Sequence, residues 1–148
     1  MKRLKLTLPN EWHYKTDIRV RVTDLNYGNH LANDKVLSLI HEARVRFLQE
    51  HGQSEIDFFS IGLIQVDTQI VYKNQAFLSD NLTFFLSFEK PTKVGFNIFY
   101  KIMKDDVEIA RAITGLAFFS YQDLKITKPS KEGLDFLENS TRNILPHS

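Results

Sequence analysis

Within one short stretch the chain carries Asp24, Asn26, His30 and Asn33, with Gly28 and Asn29 between them. A carboxylate can accept a proton, and an imidazole can accept one or pass it on. A side-chain amide can orient a water or a substrate atom but cannot act as a base. The stretch runs directly into residues 34–50, where Val36, Leu37, Leu39, Ile40, Ala43, Phe47 and Leu48 recur at spacings of three and four. That spacing predicts a long helix with a wide apolar arc. A polar loop feeding such a helix gathers Asp24, His30 and the unpaired backbone N–H groups near Leu31, Ala32 and Asn33 at one point. Those N–H groups and the helix dipole favour negative charge developing on a bound oxygen.

Each of these residues has a plainer part open to it. Asp24 is either a general base or an acid that caps a turn, and extended backbone puts it on the same side as Asn26. Asn26 either positions a water or closes an Asx-turn. His30 either donates to a substrate oxygen or supports the loop. Asn33 suits the helix N-cap, Asp34 suits the first turn, and Gly52 after His51 suits the end. The polar remainder of the helix is Ser38, His41, Glu42, Arg46 and Gln49, with Ser38 and Glu42 one turn apart. Glu42 is a second candidate base, or else the partner of Arg46 or Arg44 in an ion pair.

The elements that must hold these groups follow from patterning. Residues 1–16 are expected to be irregular or a short edge segment. Residues 17–23 alternate, with Ile18, Val20 and Val22 opposite Arg19 and Arg21, and predict a half-buried strand. Residues 63–74 place Ile64, Val66, Thr68, Ile70 and Tyr72 on one face. Residues 81–89 carry Leu82, Phe84, Leu86 and Phe88; residues 94–103 carry Val94, Phe96, Ile98, Tyr100 and Ile102; residues 107–121 are rich in Ala, Phe and β-branched side chains. Short turns at 79–81, 90–93 and 104–106 imply that these strands pair antiparallel in sequence order. Ser130 can cap a short C-terminal helix.

The result is one α+β domain over residues 1–148, a curved antiparallel sheet wrapped around one long central helix. A single unit leaves a strand edge and part of the helix uncovered, so a dimer is expected. The 148 residues carry a net charge of +1, no cysteine and 12 phenylalanines. The charge gives no reason to expect nucleic acid, and the missing cysteines exclude thiol nucleophiles and Cys-based zinc sites. The histidines show no metal-ligand spacing, and no metal or redox cofactor is expected. No apolar run is long enough to span a bilayer and no signal sequence is visible, so a cytoplasmic protein is expected.

The run Thr23-Asp24-Leu25-Asn26-Tyr27-Gly28-Asn29-His30-Leu31-Ala32-Asn33, followed by a helix with Glu42-Ala43-Arg44, resembles the hotdog-fold acyl-CoA thioesterases of the 4-hydroxybenzoyl-CoA thioesterase type. Their fingerprint reads roughly Asp-x-Asp-x-x-Gly-His-x-Asn-Asn before a helix carrying Glu-Ala-Arg. Asp24 falls on the first acid and Asn26 stands where the second, catalytic one is usual. Gly28 comes one residue early, Asn29 abuts His30, and Ala32 replaces the first asparagine.

The resemblance implies the hotdog fold, a homodimer or tetramer with the site at the subunit interface, and hydrolysis of an acyl-CoA or acyl-carrier-protein thioester. Coenzyme A enters as part of the substrate. Water attack would be assisted by Asp24 or Glu42, with Asn26 positioning and His30 polarising. Leu31, Ala32, Asn33 and Ser38 would contact substrate. Lys73, Lys90, Lys93, Lys101, Arg111, Lys125 and Lys128 are candidate phosphate ligands or ordinary surface charges. Two alternatives share the fold. One is an enoyl-thioester hydratase, whose Asp-x-Asn-x-x-His arrangement is matched with one extra residue, a shift of up to about 3 Å. The other is a non-catalytic acyl-CoA binder, suggested by Asn26.

Overall fold

A computed structural model describes residues 1–146. The elements run β1 (Tyr14–Arg19), a 3-10 turn (Val22–Asp24), α1 (Asn33–Glu50), β2 (Gly62–Tyr72), β3 (Asn81–Phe88), β4 (Gly95–Lys104), β5 (Val107–Ser120), β6 (Lys125–Ile126) and α2 (Lys131–Ser140). All strand pairs are antiparallel, in the order β1-β3-β4-β5-β2, with β6 adding to β5. This is the hotdog arrangement, a curved sheet around one long helix with a short C-terminal helix.

The helix buries Val36, Leu39, Ile40, Ala43, Phe47 and Leu48, as their spacing predicts. They meet the inward rows of the sheet: Leu82, Phe84, Leu86 and Phe88 on β3, Phe96, Ile98, Tyr100 and Ile102 on β4, and Ala110 and Ala112 on β5. Each large side chain taken out of water contributes about 1.5–3 kcal/mol, so helix and sheet hold one another. Gly52, at φ 71°, follows the helix end in the left-handed conformation a C-terminal cap requires. Ser130 caps α2 by accepting from the Gly133 N–H.

The structure corrects the sequence reading in three places. The first strand starts at Tyr14 and stops at Arg19, and the backbone then curls into the 3-10 turn. Val22 is consequently 71% exposed, not part of an inward row. The alternation expected along residues 63–74 changes phase at a bulge between Gln65 and Asp67. Thr68, Ile70 and Tyr72 lie opposite the inward residues Thr114, Ala112 and Ala110, but beyond the bulge Leu63 and Gln65 take the inward side. One extra residue in an edge strand shifts the two-residue period by one step.

Finally, β2 does not pair with β3 but crosses to the far edge beside β5. The connection is residues 73–80. It has ample reach: eight extended residues span about 26 Å, and three strand spacings need only about 14 Å. On its way it passes the start of α1, where Leu31 donates to the Ala76 carbonyl at 2.8 Å and His30 pairs with Phe77.

Outside the sheet, the N-terminal segment lies across the convex face. Trp12 packs edge-on against Phe85, Lys101 sits over both rings, and Arg111 donates to the Leu6 carbonyl at 2.9 Å.

Candidate active site

The loop before α1 is held by its own side chains. The Asp24 carboxylate is 2% exposed and accepts from the Arg21 backbone N–H at 2.9 Å, from Arg21 Nε at 3.3 Å and from Nη2 at 3.2 Å. Burial pushes its pKa up, but the hydrogen bonds and charge of Arg21 outweigh this and hold it below the ordinary value. The Asp24 carbonyl accepts the Ala32 N–H at 2.9 Å, so the same residue fixes the approach to the helix. Asn26 Oδ1 accepts from the N–H groups of Gly28 (3.0 Å) and His30 (3.1 Å), leaving Nδ2 as its outward donor. Asn29 has φ 61°, the left-handed conformation, and lets the chain reverse so that the Asn26 N–H reaches the His30 carbonyl at 2.9 Å. The His30 ring is half-buried, edge-on to Phe77 at 5.1 Å.

Asn33 does not cap the helix as its type suggested. The N-cap is Ala32, which offers no side-chain acceptor, and Asn33 is the first helical residue. The N–H groups available to a ligand are also displaced from those expected. Leu31 donates to Ala76 and Ala32 to Asp24, while Lys35 and Val36 reach back to the Ala32 carbonyl. Among the described residues, the N–H groups of Asn33 and Asp34 are left without acceptors. Asn33, with Asp34 next to it in the chain, lines a cleft of about 250 Å³ together with Leu31, Val36, Tyr72, residues 73–76 and Ile109. The Tyr72 hydroxyl donates to the Asn33 carbonyl at 3.0 Å. The cleft shares Lys73, Asn74, Gln75 and Ile109 with a wider groove that continues towards Phe77 and Lys104. A larger cleft of about 480 Å³ lies between the end of α1 and α2, lined by His13, Phe47, His51 and Phe136, and is remote from these groups.

Ser38, His41 and Glu42 are on the uncovered face of α1. Glu42 accepts from Arg46 Nε at 2.9 Å, and Arg46 Nη1 is bonded to Thr16 Oγ1 at 3.0 Å and the Asp17 carbonyl at 2.7 Å. The ion pair is therefore with Arg46, while Arg44 turns inward. Its guanidinium donates to Glu55 Oε2 and to the buried Tyr100 hydroxyl, each at 3.3 Å, and Tyr100 bonds Thr114 Oγ1 at 2.8 Å. The other oxygen of Glu55 meets His41 Nε2 at 2.5 Å.

The structure thus gathers Asn33, Leu31 and the neighbours of His30 at one cleft, with Asp24 and Asn26 bracing the loop behind it. Ser38 and Glu42 lie further along the helix. Glu42 is eight residues past Asp34, a rise of about 12 Å. Sequence reasoning missed Arg21, Tyr72 and Glu55. Arg21 was assigned to a strand's solvent face; Tyr72 looked like one more alternating apolar residue. Glu55, in an irregular connection, carries no local signal.

The chain matches the profile of the thioesterase-like superfamily over residues 20–137. No curated protein matches its sequence. Among solved structures it resembles a hypothetical protein from Aquifex aeolicus at 21% identity, TM-score 0.77, covering 84% of this chain and 98% of that one. It resembles a 1,4-dihydroxy-2-naphthoyl-CoA thioesterase from Synechocystis at 18% identity, TM-score 0.73, covering 87% and 98%. A probable thioesterase from Escherichia coli aligns at 21% identity, TM-score 0.69, covering 87% and 99%. At these identities the neighbours speak for the fold, and the matched profile spans most of the chain. A curved sheet around one helix, with open N–H groups where that helix begins, is thus the scaffold of a thioester hydrolase, and the chain belongs to the thioesterase-like superfamily.

Proposed function

We propose that the protein hydrolyses acyl-CoA thioesters as a homodimer, close in kind to the 4-hydroxybenzoyl-CoA thioesterases its loop fingerprint resembles. The observation that carries this is the pair of unpartnered N–H groups at Asn33 and Asp34, at the start of the helix where Asn33 lines the cleft walled by residues 73–76. A thioester carbonyl seated there has its developing oxyanion stabilised by fixed donors, each worth about 3 kcal/mol. The structural neighbour from Synechocystis, a CoA thioesterase, supports the choice of carrier. Coenzyme A enters as part of the substrate, and no further cofactor is invoked.

Asp24 serves this reading as a positioning residue, since its carboxylate is occupied by Arg21 and its carbonyl by Ala32. Asn26 braces the loop behind the cleft through the N–H groups of Gly28 and His30, and His30 is tied to the crossing through Phe77. Glu42 is an exposed carboxylate oriented by Arg46 and takes the proton of the attacking water. Its rise of about 12 Å along the helix exceeds what one carbonyl and one water bridge within a chain. Glu42 therefore works on the substrate held by a second copy. The uncovered face of α1 and the unpaired edge of β2 are the surfaces that copy would cover.

The test is thiol release from a panel of acyl-CoA substrates by the purified protein. Turnover is expected, with Glu42→Gln lowering kcat by about 10²–10⁴-fold and leaving KM nearly unchanged. Loss of enoyl absorbance without thiol release would make the protein a hydratase instead. Saturable binding with neither change would make it a binder.

A further inference from the structure

The open face of α1 holds a second chemical group besides Glu42. At about 100° per residue, His41 and Glu42 straddle the line through Ser38 and Val45, one on either flank of the face a substrate would lie across. The two flanks are braced differently. On one side Arg46 ties Glu42 to β1 through Thr16 and the Asp17 carbonyl. On the other, His41 Nε2 meets Glu55 Oε1, and Glu55 Oε2 is gripped by Arg44, whose side chain is 4% exposed. Arg44 is in turn bonded to Tyr100, and Tyr100 to Thr114, both fully buried.

A guanidinium buried against the sheet and a glutamate held on one oxygen make a rigid mount. Its end product is an imidazole 57% exposed to solvent, with Nδ1 unpartnered among the described residues. A carboxylate on one ring nitrogen fixes that nitrogen as the donor and the ring's orientation, leaving the other to exchange protons. Glu42, a carboxylate paired with Arg46, serves as an acceptor. The chemistry missing from its flank is donation, and that is what the mounted imidazole supplies.

We propose that His41, mounted by Glu55 and Arg44, is the general acid that protonates the departing thiolate. The proposal rests on the hydrolase reading above. Water adds to the carbonyl carbon and gives its proton to Glu42. The C–S bond then breaks as the carbonyl re-forms, and the sulfur takes the proton from His41 Nδ1. The acid and the thiol leave, and solvent carries the proton from Glu42 back to His41. Glu55 and Arg44 are positioning residues in this scheme.

Leaving-group dependence separates this role from a structural one. An alkyl thiolate benefits from protonation as it leaves; an aryl thiolate, the anion of a more acidic thiol, does not. The probes are hexanoyl esters of N-acetylcysteamine and of thiophenol. His41→Gln is expected to slow the alkyl ester by about 10²-fold and the thiophenyl ester hardly at all. Glu55→Gln should show the same selectivity in weaker form. Equal slowing of both esters, or of neither, overturns the proposal while leaving the hydrolase reading intact. A wild-type protein that cleaves no thioester at all overturns the hydrolase reading, and the assignment of His41 falls with it. Because His41 is exposed, its variant is expected to fold, which its thermal midpoint checks.

Discussion

At the scale of single residues, the departures from the family fingerprint have local explanations. The position directly before His30 is left-handed, at φ 61°, which is where the fingerprint carries glycine. Asn29 fills it because asparagine is the side chain that best tolerates that conformation. Gly28, free of that demand, is simply the preceding residue. Replacing Asn29 by glycine should therefore leave folding and activity near wild type. Asn29→Val should cost about 1–3 kcal/mol, read from the urea midpoint, and should reduce activity by loosening the loop. Asp24 and Asn26 were legible as turn residues, and the structure gives both the turn geometry. Arg21 was not legible, because an alternating strand pattern hid the 3-10 turn that folds its side chain back onto Asp24.

At the scale of elements, the long helix and strands β3 to β5 were readable because each buries one regular face. β2 was less so, since a bulge breaks its period and its partner is the far strand. The joint between the ends of the chain was invisible in sequence. The buried ring of His13 accepts the Phe88 N–H at 2.9 Å, and the Thr141 carbonyl at the end of α2 also faces it. Burial lowers its pKa below the ordinary 6.5, against the opposing pull of Glu11 and Thr141. The neutral ring is the form that accepts from Phe88, so the sign is fixed. Its contribution is complete above the unfolded value of about 6.5. It is lost as pH falls through the depressed folded value. Urea midpoints measured at about pH 7.5 and pH 5 should show wild type losing more stability on acidification than His13→Gln does.

At the scale of the whole molecule, the open edge of β2 is where the proposed homodimer can be tested. Val66 sits in the β2 bulge, 57% exposed and without a partner on β5. Proline there removes a backbone donor from the edge strand at the bulge, where proline is tolerated best. In sedimentation experiments Val66→Pro should shift the protein towards monomer, and thiol release should fall with it. A variant that stays dimeric and active would place the contact elsewhere. The expectation of a second copy came from the exposed edge and the half-covered helix, since an open strand edge is a template for pairing with another chain. What the sequence could not convey was which edge. That depended on the eight-residue crossing, whose length permits several destinations.

The crossing also limits how the protein could be re-engineered. Ala76 is 1% exposed, and its carbonyl holds the Leu31 N–H. A wall of the cleft and the anchor of the helix are therefore the same stretch of backbone. Enlarging the side chain at Ala76 to exclude bulky acyl groups would pry the loop away from the helix, and selectivity would be lost along with turnover. Val36 lines the same space from the helix, whereas the Ile109 carbonyl holds the N–H groups of Lys73 and Asn74 at the start of the crossing. A programme to retune acyl preference has its freedom at Val36, on the helix side of the cleft.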